Sequence, residues 1–150
     1  MELKWLCKTF DELTLLELYK ILQLRNSVFV VEQNCAYQDL DNKDFICHHL
    51  CGWDNENLAA YTRLVPAQQS FKEVAIGRVV TAASCRKGGN GRRLMELSIE
   101  KCYEIFGKQA IRIGAQLYLK KFYESLGFIQ SSDMYLEDEI EHIEMILGIK

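Results

Sequence analysis

Thr81-Ala-Ala-Ser-Cys-Arg-Lys-Gly-Gly-Asn-Gly-Arg-Arg93 is the most informative stretch of the sequence. A run rich in β-branched residues, Val74 to Thr81, leads into it. A helical pattern leads out, with Met95, Ile99, Cys102 and Phe106 on one face and Gly107 as the stop. Four cations, Arg86, Lys87, Arg92 and Arg93, precede the first acid, Glu96. A helix start already presents about half a positive charge and several unpaired N–H groups, so cations there cost roughly a few tenths of a kcal/mol unless an anion sits nearby. Strand, glycine-rich turn and basic helix start together predict an anion cradle suited to a phosphate or diphosphate. Gly88, Gly89 and Gly91 let the backbone approach closely. The alternative is a flexible turn with solvated arginines. Gly91 is followed by Arg92 rather than Lys-Ser/Thr, which excludes a P-loop, and the dinucleotide fingerprint G-x-G-x-x-G is missing.

The rest of the chain frames that segment. Its 150 residues carry 18 Lys+Arg against 21 Asp+Glu, a formal charge of −3, and 49% are apolar. This predicts one soluble mixed α/β domain over residues 1–150 that needs no disulfide or metal staple. The mild acidity argues against nucleic acid as a partner. No run approaches the roughly 20 apolar residues of a membrane helix, and Lys4 and Lys8 interrupt any signal-peptide core, so the expected location is cytoplasmic, away from membranes. There the six cysteines (Cys7, Cys35, Cys47, Cys51, Cys85, Cys102) stay reduced and act as small core fillers.

A first strand is expected over 3–10. The capping box Thr14-x-x-Glu17 then opens a helix whose apolar residues Leu15, Leu18, Leu22, Val28 and Phe29 carry it to about Glu32. Residues 34–44 read as a polar loop. The runs 46–53 and 58–65 read as a hairpin turning at 54–57. After the basic helix come a strand (110–115), a helix (about 117–126), a strand (128–135), an acidic turn at Glu137-Asp138-Glu139 and a last strand (142–147).

Arg86-Lys87-Gly88-Gly89-Asn90-Gly91 resembles the R-x-x-G-x-G/A loop of the GNAT-superfamily acetyltransferases, and Phe122-Tyr123-Glu124-Ser125-Leu126-Gly127-Phe128 is similar to their later F/L-Y-x-x-x-G-F segment. Leu24 to Gln33, Ile76-Gly77-Arg78-Val79 and Glu141 to Met145 look like the ElaA-type branch, so the resemblance spans nearly the whole chain. It implies an α+β fold with a mixed central sheet of about six to seven strands, mostly antiparallel and flanked by helices. Strand 76–81 would splay from 110–115 to form an acyl-CoA cleft. The backbone of Val79, Val80 and Thr81 would then pair with the pantetheine arm of acetyl-CoA, the co-substrate, and the amides of Lys87 to Arg92 would hold its diphosphate. Arg86 belongs to the same loop. Gln116 stands where many members carry an Asn that touches the cofactor. Tyr123 matches the general acid. A homodimer is common in the superfamily.

The chemistry explains these residue types. An amine with pKa near 10.4 must lose a proton before attacking a thioester. The oxyanion needs a fixed donor, which a backbone N–H freed by the splay supplies, and a phenol with pKa near 10 can protonate the departing thiolate. For the base, Glu32 at the end of the first helix and His142, tuned near neutrality, are the candidates, beside an ordered water. Each has a duller alternative: Tyr123 as a border of the face defined by Leu119, Phe122 and Leu126, Glu32 as a solvated helix end, His142 as a strand residue.

Other clusters read as structural. Cys47-His48-His49-Leu50-Cys51 lacks a second ligand pair for zinc, and Asp39-Leu40-Asp41-Asn42-Lys43-Asp44 lacks the Gly and Glu of a calcium loop, so no metal is expected. Arg25, Arg63 and Arg78 sit in or beside apolar segments, where they either bind an acidic group or pair with Asp39, Asp41 or Asp44, and Arg25 reads as structural. The expected activity is acetyl transfer from acetyl-CoA to a primary amine of a small molecule or peptide. The alternatives are an acyl-homoserine-lactone-synthase-like acyltransferase and a noncatalytic acyl-CoA-binding module.

Overall fold

The computed structural model describes residues 2–149. Strand β1 (Lys4–Thr9) is followed by α1 (Leu15–Arg25), whose start is closed by the expected box: Thr14 Oγ1 accepts the Glu17 N–H at 3.1 Å and Glu17 Oε1 accepts the Thr14 N–H at 2.8 Å. The helix continues as a π-helical stretch over Asn26–Glu32. Its buried side differs from the one expected. Ile21, Leu24 and Arg25 face inward, whereas Leu15 is 89% exposed, because the inner face tracks the helix's second half, where it crosses the sheet.

The hairpin β2 (His48–Asp54) and β3 (Asn57–Val65) leads to β4 (Val74–Thr81), the glycine loop and α2 (Asn90–Phe106). Strand β5 (Ile111–Gln116) is followed by a 3₁₀ turn and the short α3 (Lys120–Glu124), a tighter arrangement than one helix over 117–126. The single strand expected over 128–135 is two pieces, β6 (Ile129–Gln130) and β7 (Tyr135–Glu137). Ser132 explains the break, since its Oγ accepts the Glu144 N–H at 2.8 Å and replaces a strand carbonyl. Strand β8 (Ile140–Leu147) completes an eight-stranded sheet in the order β1-β2-β3-β4-β5-β8-β6, with β7 also on β8.

All pairings are antiparallel except β4 with β5, which is parallel and lasts for two rungs, Val74 with Ile111 and Ala75 with Arg112. Beyond Ala75 the strands part. The main core anchors both strands: Val74, Ile76, Ile111, Ile113 and Ala115 pack with Met95 and Cys102 of α2 and with Phe128, Ile143 and Met145. All six cysteines are free thiols, four of them buried, and burial pushes the thiols of Cys51 and Cys102 up to about 12. No helix among the described residues is long and apolar enough to cross a membrane.

Candidate functional site

The parting of β4 and β5 opens a cleft of about 960 Å³. From Ile76 to Thr81, the edge of β4 that faces β5 has no strand partner among the described residues, so this edge is open to pairing with a bound chain. Within this stretch the β3–β4 register slips by one residue, and Arg78 adopts φ 51°. A non-glycine residue in the left-handed region costs roughly 1–2 kcal/mol, so surrounding contacts must hold it. They are ionic: Arg78 Nε donates to Asp39 Oδ1 at 2.7 Å and its Nη2 donates to the Asp39 carbonyl at 2.8 Å.

That contact belongs to a buried network in which all three flagged arginines are paired. Arg25, 0% exposed, binds Asp39 and Asp44 at 2.8 Å each. Arg63 binds Asp44 at 3.0 Å and Asp41. Tyr37 donates its hydroxyl to Asp39 at 2.7 Å. Burial drives the Asp44 carboxyl up, but the hydrogen bond from Arg25 and the charges of Arg25 and Arg63 outweigh it and bring the group below the ordinary carboxylate range. His49 joins the network from β2: one ring nitrogen donates to the Asp44 carbonyl at 2.9 Å, and the other therefore accepts the Tyr61 hydroxyl at 2.6 Å. The loop over 34–44 is thereby clamped to β3 and β4 beside the cleft.

At the open end of β4, Gly88 and Gly89 have φ 87° and 79°, a conformation that glycine adopts without strain. Gly89 is the N-cap of α2, the helix start carries no side-chain cap, and its first turn has no acid. A 17-residue helix thus presents an uncapped N-terminus beside Arg86 and Lys87. Arg92 turns to Ser125, donating to its Oγ at 2.9 Å, and Asn90 donates to the Cys85 carbonyl at 3.2 Å, so these two brace the loop. Arg86 forms an ion pair with Glu32 at 2.7 Å, tying the end of the π-helical stretch to the glycine loop.

The remaining expected residues meet in the same cleft. Tyr123 lines it and is 5% exposed, more buried than Leu119, Phe122 and Leu126, so it lies within the inner face rather than bordering it. Its hydroxyl has no hydrogen-bond partner among the described residues, and burial, with Tyr118 adding to it, holds the phenol well above its ordinary pKa. His142 lies on β8 opposite Gln116. Its Nδ1 is 2.8 Å from the Ile140 carbonyl, which can only accept, so Nδ1 carries a proton and Nε2 is the ring nitrogen at which a second proton is gained or lost. Nε2 faces Glu137 Oε2 at 3.3 Å, and the ring stacks on Tyr135. Gln116 and Gln33 exchange side-chain amide contacts at 3.3 and 3.5 Å.

Loops 34–45, 67–73 and 133–141 read from the sequence as the substrate side without a diagnostic motif, and the last two bring Phe71, Tyr135 and Glu137 to the cleft, whereas Gln33 was not singled out. The acidic turn Glu137-Asp138-Glu139 was the available signal, since a tight turn between paired strands carries its first residue back over the neighbouring strand.

The family model of the acetyltransferase (GNAT) domain matches residues 20–149. Protein ElaA of Escherichia coli strain K12 is 40% identical over 145 residues, 95% of each chain. A UPF0039 protein of Schizosaccharomyces pombe is 44% identical over 149 residues, 98% of each chain. Among solved structures, an acyl-CoA N-acyltransferase from Pseudomonas aeruginosa superposes with a TM-score of 0.94 at 40% identity, covering 98% of this chain and 100% of that one. With sequence and fold matched over almost its whole length, the chain belongs to the GNAT acetyltransferase family and is an acyltransferase.

Proposed function

We propose that the chain transfers an acetyl group from acetyl-CoA to a primary amine by direct attack. The observation that carries this reading is the parting of β4 from β5 after two rungs, next to the uncapped, acid-free start of α2 and with Tyr123 among the residues that line the cleft. The free edge over Val79, Val80 and Thr81 suits the amide-bearing arm of the co-substrate. The loop from Arg86 to Arg92, with Gly88, Gly89, Asn90 and Gly91, suits its diphosphate. Gln116, at the open end of β5, suits a contact with the same arm.

Two bonds change. The amine nitrogen bonds to the carbonyl carbon, the carbon–sulfur bond breaks, and the electron pair leaves on sulfur. Tyr123 donates its proton to that thiolate, and its raised pKa keeps it protonated across the neutral range. His142 Nε2 takes one proton from the ammonium before attack, and the second proton, shed by the nitrogen as it becomes an amide, passes to the Tyr123 phenolate and restores the phenol. His142 is favoured over Glu32, whose carboxylate is held by Arg86 at 2.7 Å. A free N–H on the bulged edge of β4 stabilises the oxyanion.

The lactone-synthase alternative is weaker, because Arg25, Arg63 and Arg78 are neutralised by Asp39, Asp41 and Asp44, so that Arg63 and Arg78 line the cleft without bringing unbalanced charge to it. Incubating the protein with acetyl-CoA and an amine panel while following free thiol tests the proposal. Amine-dependent thiol release is expected. Binding of acetyl-CoA with no release for any amine would favour the noncatalytic module, and release of methylthioadenosine from S-adenosylmethionine would favour the synthase.

A further inference from the structure

We propose that the acceptor is a zwitterion, an amine that also carries a carboxylate, as amino acids and short peptides do. This rests on the acyl-transfer reading above and follows from which charges along the cleft are already balanced. Arg63 and Arg78 are paired with the three aspartates of the clamp. Arg86 holds Glu32, and Arg112 holds Glu144 at 3.2 Å.

Lys43 is different. It lines the cleft half-buried, its Nζ reaches Ser70 Oγ at 3.4 Å, and, although its backbone N–H donates to Asp41 Oδ1 at 3.0 Å, its ammonium has no carboxylate partner among the described residues. Its short helical turn, Lys43–Ile46, packs on β3, and Ser70 lies in the loop entering β4. Both therefore belong to the β3–β4 side of the gap.

On the opposite side, the turn from β7 into β8 brings Glu137 and Asp138 to the cleft wall. Glu137 is balanced only when His142 is protonated, and Asp138 has no cationic partner among the described residues. The cleft is thus dipolar, with unbalanced positive charge on the β3–β4 side and unbalanced negative charge at the β7–β8 turn. An ammonium beside Glu137 and His142, with a carboxylate reaching Lys43 and Ser70, completes both ends and leaves the amine next to its base.

The co-substrate's diphosphate is not the group that Lys43 awaits. Ser70 precedes β4 and the glycine loop follows it, so eight strand residues, roughly 25 Å at about 3.3 Å each, separate the two anchors. Gly114 lines the same cleft, and a Cβ there would meet Tyr135 Oη at 3.3 Å and Phe71 Cζ at 3.9 Å.

The test compares acceptors matched except for the carboxylate, lysine with lysinamide for amino acids and glycylglycine with glycylglycinamide for peptides, by thiol release from acetyl-CoA. At least one free acid is expected to exceed its amide in kcat/KM by about tenfold or more, through KM, as a charge-assisted contact provides. The arm that shows the preference identifies the source. Lys43→Met should bring the acid-to-amide ratio to about one, and Lys43→Arg should keep it. The ratio is internal to each variant, so a change in overall activity or folding yield does not imitate the effect. Equal turnover of acid and amide in the parent, or an unchanged ratio in Lys43→Met, overturns this proposal while leaving acyl transfer intact. No thiol release from any amine, with no thermal stabilisation by acetyl-CoA, overturns both.

Discussion

Asp39→Asn is the most revealing perturbation of the clamp, because one carboxylate there serves three donors. Asp39 accepts Arg25 Nε at 2.8 Å, Arg78 Nε at 2.7 Å and the Tyr37 hydroxyl at 2.7 Å, and it is 8% exposed. Asparagine keeps the shape but turns one of the two oxygens into a donor facing donors. If the amide oxygen stays with Arg25, the Arg78 guanidinium and the Tyr37 hydroxyl lose their acceptor. If it turns to Arg78, the fully buried Arg25 is left with Asp44 and the Asp39 carbonyl. Breaking a buried ion pair costs about 3–5 kcal/mol, and each hydrogen bond to a charged group contributes about 1.5–3 kcal/mol. Arg78 is partly solvated, with its side chain 22% exposed, and Arg25 keeps Asp44, so the expected loss lies near the bottom of that range, about 3 kcal/mol. With urea m-values of about 1–3 kcal/mol/M, the midpoint should fall by at least 1 M. Urea unfolding followed by tryptophan fluorescence reads it, and a cycle with Arg78→Met separates the Arg78 share. A loss below about 1 kcal/mol would refute the view that this aspartate holds loop 34–44 against β4.

Three further outcomes follow from the same geometry. Tyr123→Phe should lower kcat by about 10²- to 10⁴-fold at nearly unchanged acetyl-CoA affinity and stability, because the hydroxyl is unpartnered; equal turnover would remove Tyr123 from the mechanism. At position 78, where φ is 51°, both Arg78→Gly and Arg78→Ala lose the clamp, but glycine avoids the left-handed strain, so the Gly variant should be the more stable by about 0.5–1 kcal/mol; an Ala variant of equal stability would contradict the bulge. Stability should fall on acidification in two stages. Burial lowers the His49 pKa in the folded state, so the unfolded chain takes that proton first and stability declines as pH drops below about 6.5. The second decline, below about pH 4, comes from carboxylates lowered in the folded state: Glu73, brought to about 2 by its hydrogen bond from Arg112, and Asp44. Chemical denaturation between pH 3 and 8 checks both, and His49→Phe should lose the upper stage.

What the sequence made legible was local. Val74 to Thr81, the glycine loop and the face through Met95 and Cys102 each carry their signal within a few residues, and the structure forms β4 and α2 there. The arginine–aspartate pairing was foreseen only as one of two options, because which aspartate meets which arginine depends on how loop 34–44 folds back over β3 and β4. The opposition of Glu137 and His142 was hidden by the break in the strand expected over 128–135, which a single hydroxyl, that of Ser132, brings about. The partial exposure of Leu119 and Leu126 against a buried Tyr123 depends on the cleft itself. A helix of five residues has too few turns to reveal its inner face by periodicity.

Calorimetric titration with coenzyme A and with pantetheine, on the parent chain and on Gly89→Ala, tests the central claim most directly. The account predicts that coenzyme A binds the parent, that pantetheine, lacking the diphosphate, binds at least about 100-fold more weakly, and that the strained alanine at φ 79° removes most of this difference. No heat with coenzyme A, or equal affinity for the two ligands, would contradict it.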